Sequence, residues 1–187
     1  NIPIRYIKRR DLMNRIFSVF AILCILFSLA GCSLSDEPIK EKNDAGVSSS
    51  EPEQAKTNDF GLNETAAFKN LKFTATDILE SNGKDFFEPE DGKVFVGIKF
   101  TIENISNETQ SVSSILLFDA YADDAKCEYS LSANCVFGDG TLDGDIAAGK
   151  KLVGWYALEV PQDWHSIDLD VKSSWLSDSS ARFVFKK

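Results

Sequence analysis

Strict alternation of apolar and polar positions runs through the segment Lys93–Asn104. Its apolar side chains recur at every second residue, whereas Lys99, Thr101 and Glu103 fall between them. A period of two residues places these two sets on opposite faces of an extended chain. The segment is therefore predicted to be a half-buried β-strand, with Phe100 on its buried face.

Shorter segments of similar character recur along the rest of the chain, and turn-forming residues separate them. Further strands are predicted around Leu71, Phe73 and Ala75, at 115–122, 128–137, 151–160 and 167–171, and around Phe183 and Phe185. No stretch has a helical period longer than two turns. About six to eight short strands without alternating helices predict an all-β domain over residues 65–187, folded as an antiparallel β-sandwich.

An uncharged apolar run of sixteen residues lies at 16–31, directly after a basic stretch. It is shorter than the roughly 20 residues that a membrane-spanning helix needs. A basic segment followed by a short apolar run is typical of a signal peptide that is removed from the mature protein. We therefore predict that residues 1–31 are a cleaved signal peptide. Met13 is the only methionine and the predicted initiator, and residues 1–12 are interpreted as an over-extended start.

The apolar run ends in Leu29, Ala30, Gly31 and Cys32, the pattern of a bacterial lipobox. The two small residues suit the narrow site of the lipoprotein signal peptidase, and Leu29 supplies an apolar residue one step further out. Cysteine alone can carry the thioether-linked diacylglyceryl group. The mature chain is therefore predicted to begin at a lipidated Cys32, whose two acyl chains anchor it to the outer face of the bacterial cell membrane.

Polar residues dominate the next segment, 32–64, which is rich in Ser, Asp, Glu, Lys, Asn and Pro. Such a composition buries too little apolar surface to offset the entropy lost on ordering the chain. We predict a flexible tether whose mean reach is on the order of 30 Å. A spacer that holds the domain off the bilayer and an unselected disordered tail both fit this composition.

Net charge narrows the classes of partner. From Cys32 onward the chain carries 15 basic and 28 acidic residues, a net charge of −13. A surface this acidic repels nucleic acid, whose binding proteins carry basic patches, and it also repels anionic lipid head groups. Nucleic acid is therefore excluded as a partner, and contact with the membrane is predicted to depend on the lipid at Cys32.

A set of turn and strand-end residues follows a fixed order through the predicted domain: Pro89, Gly92, Asn104, Ser106, Gly149, Gly154, Trp155 and Pro161. In this order and spacing the chain resembles the bacterial lipoprotein domains of the family called domain of unknown function 4352, over residues 65–187. The resemblance implies an immunoglobulin-like sandwich similar to a small secreted mycobacterial antigen, located in the cell envelope. Because the shared motifs are structural, the resemblance implies no catalytic residue.

Two cysteines, Cys127 and Cys135, remain in the predicted mature chain besides the lipid site. Outside the cytoplasm a cysteine pair is typical of a disulfide, and their even separation suits facing positions across a hairpin. Closing a loop of about nine residues would stabilise the fold by roughly 2.5 kcal/mol. The alternative is two free buried thiols, since a zinc site needs ligands beyond two cysteines.

The acidic loop at 138–145 is a weak candidate for calcium binding through Asp139, Asp143 and Asp145. Counted from Asp139, however, position 12 is Lys150, where a calcium loop of the helix-loop-helix type needs a bidentate glutamate. Aspartate and glycine are also ordinary turn residues, so a solvated turn is the alternative. We predict no bound metal and no other cofactor.

His165 is the only histidine, so any histidine-dependent catalysis would have to use it. No nucleophile motif and no second histidine at metal-ligand spacing accompanies it, and we predict that the protein is not an enzyme. Val153 and Trp155 fall on the outward side of their predicted strand. If they are exposed, they are candidates for a contact surface.

These observations favour a non-enzymatic binding or interaction module held on the cell surface by its lipid. Its predicted partners are the membrane, through the diacylglyceryl group, and another envelope protein or a surface ligand. The alternative is a small extracytoplasmic hydrolase assisted by calcium or zinc, which would use the loop at 139–145 together with His165.

Overall fold

The computed structural model describes residues 38–41, 59–138 and 140–187. The strands are β1 (Ile39–Glu41), β2 (Thr65–Ala67), β3 (Leu71–Ser81), β4 (Lys93–Asn104), β5 (Gln110–Val112), β6 (Phe118–Ala122), β7 (Ala125–Cys127), β8 (Gly144–Ile146), β9 (Lys151–Pro161), β10 (Ser166–Lys172) and β11 (Ser180–Lys186). The helices are α1 (Ser114–Leu117) and α2 (Leu131–Phe137). The predicted signal peptide, its lipobox with Cys32, and most of the predicted tether lie outside the described residues.

Two antiparallel sheets form the body of the domain. The first has the strand order β1-β2-β3-β4-β9, and the second has the order β11-β10-β6-β7. β5 and β8 pair separately as a short ribbon. The longest pairings join β4 to β3 and β9, and they place Phe100 between Ala75 and Gly154. The prediction of an all-β antiparallel sandwich is confirmed.

Aromatic side chains from both sheets meet in the core. Phe100 of β4 is fully buried, and its ring centre lies 5.6 Å from Phe118 of β6 and 5.2 Å from Phe183 of β11. Phe73 of β3 also meets Phe118, at 6.1 Å. The rings of all three pairs meet edge to face, an arrangement that stabilises aromatic pairs beyond their burial. The facing predicted for Phe100 is therefore observed.

The first half of β4 is buried on both faces, which alternation alone does not predict. Phe95 and Ala157 point away from the main core and form a second, small cluster with Ala133 of α2. A Cβ atom at Gly97 would lie 2.7 Å from the ring of Phe137, so glycine lets the helix approach the strand closely. α2 therefore covers the outer face of β4 and β9.

Two of the predicted strands are wrong in part. Only Phe118–Ala122 of the segment 115–122 is a strand, because α1 occupies its first residues. The segment 128–137 contains α2, and the Ser130 hydroxyl caps this helix by accepting from the backbone N–H of Ala133 at 3.2 Å. Such a cap satisfies one of the free N–H groups in the first helical turn. Packing against the outer face of the sheet stabilises the rest of the helix.

A strand interrupts the segment predicted as a tether. β1 pairs with β2 at the edge of the first sheet. The ammonium group of Lys40 lies 2.7 Å from the carboxylate of Glu64, 2.9 Å from the carbonyl oxygen of Asp59 and 5.5 Å from the ring centre of Phe60. Backbone pairing and these contacts favour an ordered strand within a segment whose composition alone predicts disorder.

Candidate binding groove

The chain changes sheets at one corner of the sandwich, directly after β7. β7 pairs with β6 of the second sheet, whereas Tyr129 forms a bridge to Leu158 of β9 in the first. The backbone N–H of Ser130 then donates to the carbonyl oxygen of Ala157 at 2.8 Å. The segment from β7 to Ser130 therefore joins the edges of the two sheets, and a surface depression lies on each side of it.

One of these depressions has a volume of about 380 Å³, and we call it the corner groove. Its walls include Ile115, Phe118, Asp119, Lys126, Tyr129 and Leu131. Its floor is aromatic, because the ring of Tyr156 stacks on Phe118 at 5.0 Å and lies 5.5 Å from the ring of Tyr129. Concave sites with apolar and aromatic walls and a few polar groups are typical of ligand contact.

Large apolar side chains stand at the rim of the corner groove. Ile115 of α1 and Leu131 of α2 each expose 73% of their surface. A single exposed apolar residue is common on protein surfaces, but a pair that flanks a groove is typical of a contact surface. The groove therefore offers an apolar slot between two short helices.

Charged groups lie beside this slot. The carboxylate of Asp119 accepts hydrogen bonds from the ammonium groups of Lys126 at 3.2 Å and Lys172 at 3.1 Å. These bonds, the one from Lys172 most of all, lower the pKa of Asp119. The carboxylate is therefore ionised at neutral pH. Because the pairs are substantially exposed, they contribute little to folding stability and remain accessible to a polar ligand group.

The second depression has a volume of about 430 Å³, and its walls are mostly polar and charged. Lys93 there lies 2.6 Å from the carboxylate of Glu90 and 3.9 Å from that of Glu159. The hydrogen bond with Glu90 is the main reason that the pKa of Lys93 is raised. None of the residues that line this second depression is a large, exposed apolar side chain, whereas Ile115 and Leu131 flank the corner groove, so the corner groove is the stronger candidate for ligand contact.

The two tyrosines of the corner groove are neutral at physiological pH. Burial raises the pKa of Tyr156 far above the ordinary value of a phenol, and it also raises the pKa of Tyr129. A neutral phenol offers a hydroxyl donor and a ring face, and it is a poor general base. The groove is therefore suited to apolar and hydrogen-bonding contact.

Cys127 and Cys135 are both free thiols, so the predicted disulfide between them is wrong. Cys127 ends β7 and is half-buried, whereas Cys135 lies on the exposed side of α2. The residues between them lead into a helix and do not double back as a hairpin, so the two cysteines are not at disulfide distance. Burial raises the pKa of the Cys127 thiol.

Alkylation of the native protein is expected to label both thiols without reductant. Cys135 should react first because it is exposed, and Cys127 more slowly because burial raises its pKa and the thiolate is the reacting form. Intact-mass spectrometry over a time course measures the two phases. The matched control is Cys135→Ala, which should lose only the fast phase. Two thiols that resist labelling until reductant is added would contradict this prediction.

The carboxylates of the acidic loop contact neighbouring elements of the fold. Asp143 accepts from the backbone N–H of Ser114 at 2.9 Å and from its hydroxyl at 2.8 Å, at the first residue of α1. Asp145 accepts from the hydroxyl of Ser111 in β5. Asp139 lies outside the described residues. Within the described ranges, no three His, Cys, Asp or Glu side chains are grouped as a metal site requires.

His165 lies beside a turn that is organised by Asp123. The backbone N–H groups of Ser166 and His165 donate to the Asp123 carboxylate at 2.8 and 3.0 Å, and these bonds, the one from Ser166 most of all, lower its pKa. The imidazole Nδ1 lies 3.5 Å from the same carboxylate, with 86% of the side chain exposed. Asp123 has a φ of 45°, so its carboxylate stabilises a left-handed turn. Among the described residues, no hydrogen bond joins His165 to Asp143 or Asp145.

The outward stripe predicted on β9 does not form an exposed surface. Trp155 is 5% exposed, because the ring of Phe137 stacks on it at 5.4 Å. The ammonium group of Lys99 lies 5.4 Å from the centre of the same indole. Val153, the other predicted contact residue, is exposed, at 45%. Trp155 is therefore a packing contact for α2 and not the exposed contact residue that alternation indicated.

The predicted site residues did not include Ile115, Tyr129 or Leu131. The sequence does contain a signal for one side of the groove, the start of α2. Ser130 is a typical N-cap residue directly before an apolar residue, which indicates a helix start. Leu131 then falls on the exposed side of that short helix. No local signal brings α1 and α2 to the two sides of one groove, because only the pairing of the strands places them there.

Solved structures that resemble this chain come from bacteria. A candidate lipoprotein, YcdA, from Bacillus subtilis is 14% identical, with a TM-score of 0.55 over 65% of this chain and 38% of its own length. An uncharacterised β-sandwich protein from Clostridium difficile is 16% identical, with a TM-score of 0.44 over 73% of this chain and 99% of its own length. At these identities, the likeness to YcdA shows the fold alone.

No curated protein matches the sequence. Within the described ranges, no helix is long and apolar enough to span a membrane. The similarity to a mycobacterial antigen stays a prediction. The family described as "Domain of unknown function (DUF4352)" matches residues 60–181, well over half of the chain, and the chain therefore belongs to this family.

Proposed function

We propose that the protein is a lipid-anchored, non-enzymatic binding module on the outer face of the cell membrane, and that it contacts its ligand through the corner groove. The observation that carries the proposal is the groove itself. It combines two exposed apolar side chains, Ile115 and Leu131, with an aromatic floor and a charged rim. These groups suit recognition, and the two tyrosines among them are neutral phenols.

The proposed anchor rests on the lipobox that ends in Cys32. The fold shared with a candidate lipoprotein of Bacillus subtilis supports it. A net charge of −13 from Cys32 onward works against electrostatic attachment to anionic lipids, so the acyl chains would supply the membrane affinity.

The ligand that suits the groove best is an exposed segment of another envelope protein that carries one large apolar side chain. That side chain would insert between Ile115 and Leu131 and pack on the tyrosine rings. A neighbouring polar group of the partner would meet Asp119 and Lys126, whose charges already pair across the rim. Burial of the apolar side chain would supply most of the affinity, since exposed ion pairs contribute little.

The alternative of a metal-assisted hydrolase has no observation in its favour. Asp143 holds the start of α1, Asp145 accepts from Ser111, and His165 is hydrogen-bonded to Asp123. Asp139, the remaining carboxylate of that hypothesis, lies outside the described residues. We expect that calcium or zinc leaves the melting temperature unchanged.

Replacing Cys32 by serine is expected to abolish anchoring. The thioether cannot form on a hydroxyl, so the Cys32→Ser chain should accumulate as an uncut precursor without a lipid label. Metabolic labelling with a fatty acid and mass analysis of the amino terminus measure both effects. Cys135→Ser is the matched control and should be lipidated like the wild type. A wild-type protein that keeps residues 13–31 attached would rule out the proposed anchor.

A photo-crosslinking residue placed at Leu131 is expected to capture a discrete partner on intact cells. The same residue placed at Phe86, which is 98% exposed and does not line the groove, is the matched control. Ile115→Asp should remove the Leu131 adduct, because a carboxylate in the apolar slot opposes burial of the partner's side chain. Mass spectrometry of the adducts decides the outcome. Equal adducts from both positions, or an adduct unaffected by Ile115→Asp, would contradict the proposal that the partner binds in the corner groove.

A further inference from the structure

The direction of β1 shows where the chain enters the sandwich. Ile39, its first residue, pairs with Ala67 of β2. Ala67 in turn pairs with Lys72, which lies next to the first residue of β3, Leu71. Leu71 pairs with Asn104 at the end of β4. The residues before β1 therefore approach the end of the sandwich where β3 begins and β4 ends, and we call this the proximal end.

Covalent geometry limits the distance between Cys32 and this end. Ile39 follows Cys32 by seven residues, and seven residues span at most about 25 Å when fully extended. β1 itself is held to the domain by the contacts of Lys40 with Glu64, Asp59 and Phe60. A lipid on Cys32 would therefore keep the start of β1 within a short distance of the bilayer.

The turn between β10 and β11 lies at the same end. The start of β10 and the end of β11 lie at the opposite, distal end, because Trp164 donates to Glu80 near the end of β3 at 2.9 Å. Lys187, directly after β11, pairs with the same carboxylate at 2.9 Å. β10 and β11 are antiparallel, and Lys172 pairs with Ser180 at their other ends. Residues 173–179 therefore connect these two strands at the proximal end.

Two large apolar side chains of this turn are exposed on the surface of the domain. The backbone N–H of Ser177 donates to the carbonyl oxygen of Ser174 at 3.0 Å, which makes Trp175 and Leu176 the two central residues of the turn. They are 68% and 73% exposed. Glycine, proline, asparagine, aspartate and serine are the usual residues of turns. A tryptophan followed by a leucine is therefore unusual at these positions, and contact of both side chains with another surface would explain it.

The turn itself carries little charge, and two further apolar side chains are exposed at the same end. Asp178 is the only charged residue in the segment 173–179. Ile39 and Ile105, which lie at the same end, are exposed as well. Tryptophan is enriched where lipid head groups meet acyl chains, because its ring is apolar and its N–H can stay hydrogen-bonded.

We propose that the proximal end docks on the outer leaflet of the membrane that holds Cys32, with Trp175 and Leu176 inserted among the lipid head groups. This inference rests on the lipid anchor of the proposed function. The short chain between Cys32 and Ile39 brings this end to the bilayer, and the apolar turn makes the contact. The distal end, which carries Phe86 and Phe87, faces away from the membrane.

Quenching of tryptophan fluorescence tests this docking on the full lipidated protein. The protein is reconstituted into phosphatidylcholine vesicles with or without bromine on the acyl chains. Of the three tryptophans, Trp155 and Trp164 are buried, and Trp175 is exposed. Brominated lipid should therefore quench most of the Trp175 emission. Trp175→Phe should lose the quenched component, whereas Phe86→Ser at the distal end should quench like the wild type.

Flotation of the vesicles in a density gradient distinguishes a failure of the lipid anchor on Cys32 from a failure of the docking of the proximal end. Protein that floats and is quenched through Trp175 supports docking. Protein that floats but is quenched no more than Trp175→Phe would overturn docking and leave the anchor intact. Protein that does not float would overturn the anchor and, with it, the docking that depends on it.

Discussion

Replacing Phe100 by alanine is expected to lower the free energy of unfolding by about 3–5 kcal/mol. Phe100 is fully buried and its ring meets Phe118 and Phe183 of the opposite sheet, so its removal leaves a cavity between the two layers. Such a loss is a large part of the stability of a domain this size. Denaturant unfolding followed by circular dichroism measures it.

The control for this variant is Phe86→Ala, because Phe86 is 98% exposed. Its effect should stay within about 0.5 kcal/mol, as for most surface substitutions. If Phe100→Ala and Phe86→Ala unfold at the same denaturant concentration, the assignment of Phe100 to the core between the sheets is wrong.

Replacing Asn104 by alanine is expected to cost about 2–4 kcal/mol, because its side chain is fully buried and makes four hydrogen bonds. The amide nitrogen donates to the carbonyl oxygens of Glu108 at 2.7 Å and Ile146 at 2.8 Å. The amide oxygen accepts from the backbone N–H and the hydroxyl of Ser106 at 2.9 and 2.8 Å. Without this side chain the loop after β4 loses its attachment to β8.

Thermal unfolding of Asn104→Ala and Asn107→Ala provides a matched comparison. Asn107 is an exposed asparagine of the same loop, and its replacement should be nearly neutral. Asn104→Asp should also destabilise the domain, because a carboxylate would face the carbonyl oxygens of Glu108 and Ile146 without a donor between them. An Asn104→Ala protein that melts like Asn107→Ala would show that the buried network contributes little.

The motif residues behind the family resemblance have structural roles in this fold. Asn104 ties the end of β4 to the following loop and to β8. A Cβ atom at Gly154 would lie 2.8 Å from the backbone carbonyl group of Thr141, so only glycine lets that loop approach β9. Trp155 supplies the surface on which α2 packs. These roles agree with the expectation that the motifs are structural.

The alternation of apolar and polar residues was sufficient to predict the long strands. A period of two is a property of the chain itself, so Lys93–Asn104 and the facing of Phe100 could be predicted without any partner strand. The same reasoning failed at 128–137, where a seven-residue helix forms. A helix this short is marginal alone and depends on packing against other elements.

The sequence by itself determined the class of fold, through alternating strands and turn residues, and it indicated a lipid anchor through the four residues that end at Cys32. Only the tertiary structure decided that Cys127 and Cys135 remain apart, that α2 buries Trp155, and that Ile115 and Leu131 flank one groove. The physical reason is that periodicity and composition depend on neighbours along the chain. The contacts among thiols, aromatic rings and groove residues depend instead on pairing between strands that are distant in the sequence. The order of the strands in the two sheets sets that pairing.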